Sequence, residues 1–303
     1  MLNYCVLGTS GMVPLPDRHL SSCMFSYNGV NILIDAGEGT QIAIKKCGIS
    51  LKKIDYVLFT HYHTDHVGGL PGLLASIANS DRTSTLTIVG PKGVNRIVEA
   101  SKKLVSKLPY IVKTIEIVDE APTISIQDLK ITPFPVEHTT TCFGYKLELS
   151  RFGKCDPEKA EMNDVPVEFW DRLQKDEVIQ YNGRVLTKDL IVSYERKGIK
   201  VVYTTDTRPC DSISQAAKNA DLLICEGMYG DSDQKSNAEK NKHMMMQEAA
   251  ALAAKAGVKK LILTHYSPSV CKPEQFLKEL QYTFSKVSMG YDGLTDELVF
   301  SNE

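Results

Sequence analysis

What the sequence lacks narrows the field first. No apolar run approaches the roughly 20 residues that cross a bilayer, so no membrane span is expected. Eight cysteines, at 5, 23, 47, 142, 155, 210, 225 and 271, form no CxxC pair and no framework spacing. Several lie inside apolar strand-like runs, which suits a reducing cytosol. The first such run, Leu2–Leu7, has no basic leader and no small-residue cleavage site, so we read no signal peptide and expect a cytoplasmic protein. Charge of one sign is also missing: 35 Lys and Arg stand against 37 Asp and Glu, a formal net of −2. That excludes coating of nucleic acid by a strongly basic surface and leaves a local basic patch open. Without repeats or low-complexity segments, solenoids, collagen, coiled coils and disorder drop out.

What is there fits a folded globule. The 303 residues are 43% hydrophobic and 24% charged. At roughly 150 residues per domain this is one large or two small domains. Such a chain buries about three quarters of its unfolded surface without a disulfide or oligomeric staple. Strand-like runs come at Leu2–Leu7, Cys23–Tyr27, Asn31–Asp35, Ile54–Thr60, Leu86–Val89, Ile111–Val118, Leu129–Val136 and Phe143–Leu149. Helix-like stretches lie at 39–47, 67–79 (broken by Gly and Pro) and 94–108. The alternation resumes with strands at Ile199–Thr204, Leu222–Cys225, Lys260–Thr264 and near Glu297–Phe300, and helices at 244–256 and 273–284. Two packed mixed sheets with helices outside would bury these strands on both faces. The expected class is therefore α/β, a single domain over 1–303. Residues 150–198 interrupt the pattern as an inserted excursion with nine basic and ten acidic residues and the only tryptophan, Trp170.

Three of the seven histidines fall in one hexapeptide, His61-Tyr62-His63-Thr64-Asp65-His66, directly after the apolar strand ending at Thr60. In extended backbone, residues two apart point the same way, so His61 and His63 can serve one metal while Asp65 and His66 turn to a neighbouring position. Neutral imidazole is the commonest metal ligand, and packing alone does not explain this crowding. Three other apolar strands each end on a ligand-type side chain: Leu129–Val136 reaches Glu137-His138, Val201–Thr205 reaches Asp206, and Leu261–Thr264 reaches His265. Open sheets place their sites at such strand ends. Seven groups suit two metals about 3.5–4 Å apart with one carboxylate between them, a pair that acidifies water and clamps phosphoryl or acyl oxygens. Imidazole and carboxylate without thiolate favour Zn²⁺, with Mn²⁺ or Fe²⁺ as alternatives.

The run Thr60-His61-Tyr62-His63-Thr64-Asp65-His66-Val67-Gly68-Gly69 is similar to the signature of the metallo-β-lactamase superfamily. Two further pieces, Asp35-Ala36-Gly37-Glu38-Gly39-Thr40-Gln41 and Phe143-Gly144-Tyr145, narrow the likeness to the short-form ribonuclease Z family, which cuts tRNA 3′ ends, and Asp206-Thr207-Arg208-Pro209 supports it. The resemblance implies an αββα sandwich and a zinc endoribonuclease that removes the 3′ trailer from precursor tRNA and leaves a 3′-hydroxyl. It implies one metal on His61, His63 and His138, a second on Asp65, His66 and His265, and Asp206 bridging them. Asp65 would also orient or deprotonate the attacking water, and Glu226 with His243 would pass a proton to the leaving 3′ oxygen. Residues 150–198 would be the tRNA-binding arm, and the protein a homodimer with no membrane partner. Three places differ from the family pattern. Met244-Met245 follow His243 where Ser-Thr is usual, His19 stands where Asn is expected, and the arm lacks Gly-Pro. A small-molecule phosphodiesterase or other ester hydrolase is the alternative reading, and a non-catalytic RNA-binding subunit a more distant one. A β-lactamase would want Cys where Asp206 stands.

Overall fold

A computed structural model of the chain describes residues 1–105, 107–118 and 123–301. They fall into two compact units, the first spanning Met1–Glu148 and Lys200–Val299, the second Leu149–Ile199 with the end of the chain from Phe300.

The first unit holds two sheets, each of seven strands among the described residues. One sheet runs, edge to edge, Leu294–Leu298, Leu2–Gly8, Ser22–Tyr27, Val30–Ile34, Ile54–Leu58, Leu86–Pro91 and Val112–Ile117. Its first four strands pair antiparallel and the rest pair parallel. The other runs Val287–Met289, Leu261–Thr264, Leu222–Glu226, Ile199–Tyr203, Cys142–Leu149, Leu129–Val136 and Ile124–Ile126. Here the first four are mutually parallel.

Strand side chains alternate between faces, and in both sheets both faces are apolar. Cys5, Leu7, Leu33 and Val57 pack with Ile44, Leu74 and Val98 of the helices Thr40–Lys46, Leu70–Ala78 and Val94–Lys102. Tyr4, Val6, Phe25 and Ile32 on the opposite face are equally buried. In the second sheet Val202, Leu223 and Leu263 pack with Ala250, Ala253 and Leu280 of the helices Met246–Ala256 and Leu277–Thr283. Tyr203, Ile224 and Ile262 are buried on its other face. The Tyr145 hydroxyl, from the second sheet, donates to the Phe59 carbonyl at the end of a first-sheet strand at 2.6 Å. The layers are helix, sheet, sheet, helix, the α/β sandwich expected from the sequence. Each fully buried Leu or Ile in it contributes roughly 1.5–3 kcal/mol of transfer free energy.

The strands Ile124–Ile126 and Val287–Met289 and the helix Asp211–Ala216 were not among the expected elements, and two expected elements lie differently. Of the helix expected over 94–108, the described residues are helical over Val94–Lys102, and residue 106 lies outside the described residues. The final strand lies at Leu294–Leu298 rather than near Glu297–Phe300, antiparallel to Leu2–Gly8, with Leu2 opposite Leu298 and Val6 opposite Leu294.

The second unit has its own small core of Ala160, Val165, Leu173, Ile179, Leu186, Ile191 and Val192. A hairpin pairs Ile179–Tyr181 with Arg184–Leu186. Asn182 (φ 48°) and Gly183 (φ 76°) make its turn, the positive-φ pair that two-residue hairpins require. The Trp170 indole N–H donates to the Val165 carbonyl at 3.0 Å. No helix among the described residues is long and apolar enough to cross a membrane.

Candidate metal centre

Parallel strands share one C-terminal edge, and that edge gathers the polar residues singled out above. Ile54–Leu58 delivers His61 and His63, and the short helix Thr64–Val67 turns Asp65 and His66 back toward them. His138 follows Leu129–Val136, Asp206 follows Ile199–Tyr203, Glu226 closes Leu222–Glu226 and His265 follows Leu261–Thr264.

Asp206 is the centre of this set. Its Oδ2 lies 3.7 Å from both His61 Nε2 and His138 Nε2. Its Oδ1 lies 3.1 Å from both His66 Nε2 and His265 Nε2. His63 Nδ1 sits 3.2 Å from His138 Nε2, and Asp65 Oδ2 sits 3.5 Å from His66 Nε2. Two groups result, His61–His63–His138–Asp206 and Asp65–His66–Asp206–His265, each with its donor atoms within 4.8 Å of one another.

The outward nitrogens of four imidazoles are already committed. His66 Nδ1 donates to the buried Asp35 carboxylate at 2.9 Å, and His138 Nδ1 to the Lys242 carbonyl at 3.1 Å. The Ser21 hydroxyl donates to the Ser10 carbonyl, so its oxygen accepts His265 Nδ1–H at 3.0 Å. The Thr60 hydroxyl donates to Asp35, so its oxygen likewise accepts His61 Nδ1–H at 3.0 Å. These contacts hold Nδ1–H outward and turn each Nε2 inward, which is how metal-binding histidines are oriented.

The inward atoms include buried polar groups with no hydrogen-bond partner: His61 Nε2, His66 Nε2, His265 Nε2 and Asp206 Oδ1. Each such atom costs about 1–3 kcal/mol if left unpaired. Four such atoms facing one another fit bound metal. Electrostatics agrees. Burial, with help from the neighbouring His66, pushes His61 down to about 2, and burial pushes His138 down to about 4, so both are neutral at pH 7. Against the penalty of burial, His265, His66 and His61 hold Asp206 ionised well below the carboxylate range. Burial opposes charge on His66 too, but Asp206 and Asp35 raise its imidazolium well above the usual value. A cation competes for that Nε2 position with the proton.

Glu226 is fully buried and accepts from the Thr207 N–H at 2.5 Å, the Met244 N–H at 3.1 Å and His243 Nδ1 at 3.2 Å. Burial weighs against charge on His243, yet Glu226 outweighs it and the imidazole rises to about 9. The His243 ring lies 5.3 Å from that of His138 and 5.8 Å from that of His265.

Sequence reasoning gave no role to three supports of this site. Asp35, which carries Thr60 and His66, follows the apolar strand Val30–Ile34, so the strand-end pattern was its signal. Its φ of 61° and the 56° of His265 are left-handed, a backbone state costing non-glycine residues roughly 1–2 kcal/mol. Ser21 had no such mark. Neither did Met12, whose N–H donates to Asp65 Oδ2 at 2.8 Å.

The fold and the histidine–carboxylate edge define a metal-hydrolase class, and a model of the β-lactamase superfamily domain matches residues 30–152 and 178–266. A ribonuclease Z from Lachnoclostridium phytofermentans is 49% identical over 300 residues, 99% of each chain. One from Agathobacter rectalis is 44% identical over 303 residues, 100% of each. The chain belongs to the ribonuclease Z family of the β-lactamase superfamily, and is a hydrolase of the endoribonuclease kind. Among solved structures, the short form of human tRNase Z matches with TM-score 0.69 and 22% identity, covering 98% of this chain and 100% of that one. A metallo-β-lactamase fold protein of Bacillus subtilis matches with TM-score 0.70 and 23% identity, covering 97% and 98%. At these identities the likeness is one of fold.

Proposed function

We propose that this chain removes the 3′ trailer from precursor tRNA by hydrolysing one phosphodiester, leaving a 3′-hydroxyl. The observation that carries the reading is the division of Asp206, one oxygen toward His61 and His138 and the other toward His66 and His265. His61, His63 and His138 would hold one divalent ion, Asp65, His66 and His265 a second, and Asp206 both. Zn²⁺ suits these donors best, with Mn²⁺ or Fe²⁺ as alternatives. When bound, the ions supply acidification of water and charge neutralisation at the phosphoryl oxygens.

The chain supplies the rest. Asp65 takes the proton of the attacking water, its carboxylate fixed by the Met12 N–H. Asp65 is ionised because its contacts with His66 outweigh burial. His243, oriented by Glu226 at Nδ1, donates from Nε2 to the leaving oxygen. As the P–O3′ bond breaks, its electron pair stays on O3′ and the proton joins it, which leaves a hydroxyl and a neutral imidazole. General acid–base help of this kind is worth about 10²–10⁴-fold. Residues 150–198 would grip the tRNA by shape and phosphates rather than by sequence. The names of the relatives support that substrate, and a cytoplasmic homodimer is the form we propose for the enzyme.

The test is incubation of metal-replete protein with a 3′-extended precursor tRNA and mapping of the product end. A discrete cut after the discriminator base with a 3′-hydroxyl is expected. Cleavage of a chromogenic phosphodiester without productive tRNA cleavage would favour the small-molecule phosphodiesterase. Metal analysis should find two ions per chain, both removed by chelation along with activity, and a fully active protein with one ion would refute the dinuclear site.

A further inference from the structure

Arg208 touches three of the loops that build this edge. Two residues past Asp206, its backbone N–H donates to the Glu137 carbonyl at 2.8 Å, fixing the residue before His138. Its guanidinium Nη1 donates to the His243 carbonyl at 2.5 Å. Nη1 and Nη2 also form a fork onto Glu248, at 2.8 and 2.6 Å. Glu248, in the first turn of the helix Met246–Ala256, accepts the Met245 N–H at 3.0 Å as well. The segment His243–Met245 is thus gripped twice. Glu226 holds its imidazole and its middle N–H from the buried side, while the Arg208–Glu248 pair holds its first carbonyl and its last N–H. The pair is only 14% and 24% exposed in its side chains, so it is partly shielded from solvent screening.

We propose that Arg208, locked by Glu248, is a positioning residue that sets the His243 imidazole against the leaving oxygen. This rests on the reading that His243 delivers the proton. Proton transfer demands heavy-atom distances of about 2.6–3.2 Å, and a displacement of about 1 Å can cost 10²-fold in rate. The guanidinium suits the task because its rigid fork bonds a carboxylate through two nitrogens while serving a carbonyl. A lysine ammonium presents only a point charge. Arg208 pairs with Glu137 in an isolated antiparallel bridge, beside His138 and two residues past Asp206, so the same residue ties His243 to the metal-ligand loops.

The test exploits leaving groups. Bis(p-nitrophenyl) phosphate expels a phenolate that needs no proton, whereas RNA expels an alkoxide that does. Both are to be assayed on metal-replete Arg208→Met, His243→Ala and the double variant, with metal content and Tm recorded. Arg208→Met and His243→Ala should each slow precursor tRNA cleavage by about tenfold or more at saturating RNA. Each should leave nitrophenyl ester hydrolysis within about twofold, and the double variant should be no slower than His243→Ala. Arg208→Lys should recover part of the loss. Glu248→Gln, which keeps the Met245 contact, should show a smaller loss with the same substrate dependence and carries the test if Arg208→Met folds poorly. Multiplying losses in the double variant, or parallel loss of ester hydrolysis or metal, would overturn the positioning role alone. A His243→Ala protein with undiminished tRNA cleavage would overturn the proton role and this inference together.

Discussion

At the scale of single residues, the proposed mechanism gives Asp65 two duties, metal ligand and proton acceptor. As a ligand it should be ionised and close to His66, as it is at 3.5 Å. As a proton acceptor it needs a free lone pair aimed at water, and the Met12 N–H already holds one oxygen. Asp65→Ala should lower turnover by about 10²–10⁴-fold while the thermal midpoint stays near that of the parent. Near-parental turnover with full metal content would remove the base role. The cysteines provide an independent check on burial. Cys271 is exposed, whereas Cys23 and Cys225 are fully buried. Burial raises the Cys23 thiol well above its ordinary value and the Cys225 thiol to about 12. Only the thiolate alkylates readily, so iodoacetamide at pH 7.5–8 (about the range where a free thiol begins to ionise) should modify Cys271 first. Cys23 and Cys225 should resist until the chain unfolds, as mass spectrometry would show. Rapid labelling of Cys225 in the native protein would contradict the packing of the second sheet.

Among the elements, the histidine loop is docked by backbone as well as by the Asp35 side chain. The Ala36 N–H donates to the His66 carbonyl at 2.7 Å, and the Gly69 N–H to the Ala36 carbonyl at 2.9 Å. A Cβ on Gly69 would stand 1.9 Å from the Gly37 carbonyl oxygen. Gly69→Ala must therefore push the two loops apart. It should cost at least roughly 1–3 kcal/mol of stability, the usual penalty of overpacking, and reduce metal content as His66 shifts. Unchanged stability and metal content would mean the contact is soft. Such pairings explain which elements were legible in the sequence. Strands ending in His61, His138, Asp206 and His265 announce themselves because apolar runs stop abruptly at ligand-type residues. Leu294–Leu298 does not. It reads Leu-Thr-Asp-Glu-Leu, its middle three residues are exposed, and no apolar alternation fixes its register. Its place opposite Leu2–Gly8 comes from chain nearly 300 residues away. The helix starting at Val94 is amphipathic over its first two turns, and the apolar spacing continues past Lys102 where the helix itself does not. Asp35 was quoted without a role for the opposite reason: an aspartate after a strand looks like a turn residue until the histidine it orients is seen.

At the scale of the whole molecule, the chemistry and the inserted unit are separable in composition. Every candidate ligand lies in Met1–Glu148 or Lys200–Val299. The unit Leu149–Ile199 closes around its own apolar core and contributes no donor to either metal group. Its outer surface carries Met162 at 85%, Val167 at 71% and Val178 at 66% exposure, among charges that nearly cancel. If this unit is the tRNA arm, replacing about residues 154–188 with a short flexible linker should spare both the metal content and the hydrolysis of a small phosphodiester. Affinity for precursor tRNA should fall. The remaining binding should depend less steeply on salt, because each lost phosphate contact removes roughly 0.9 from the slope on duplex regions. Balanced charge sets the size of that change: nine basic residues faced by ten acidic ones cannot all reach phosphates, so a loss of two or three contacts is the scale expected of a surface like this. A flat salt dependence with lost affinity would point instead to the exposed apolar side chains, which stack or pack without releasing counterions. If the shortened protein binds and cuts precursor tRNA like the parent at every salt concentration, the inserted unit is not the arm, and the grip on RNA must come from the sandwich itself.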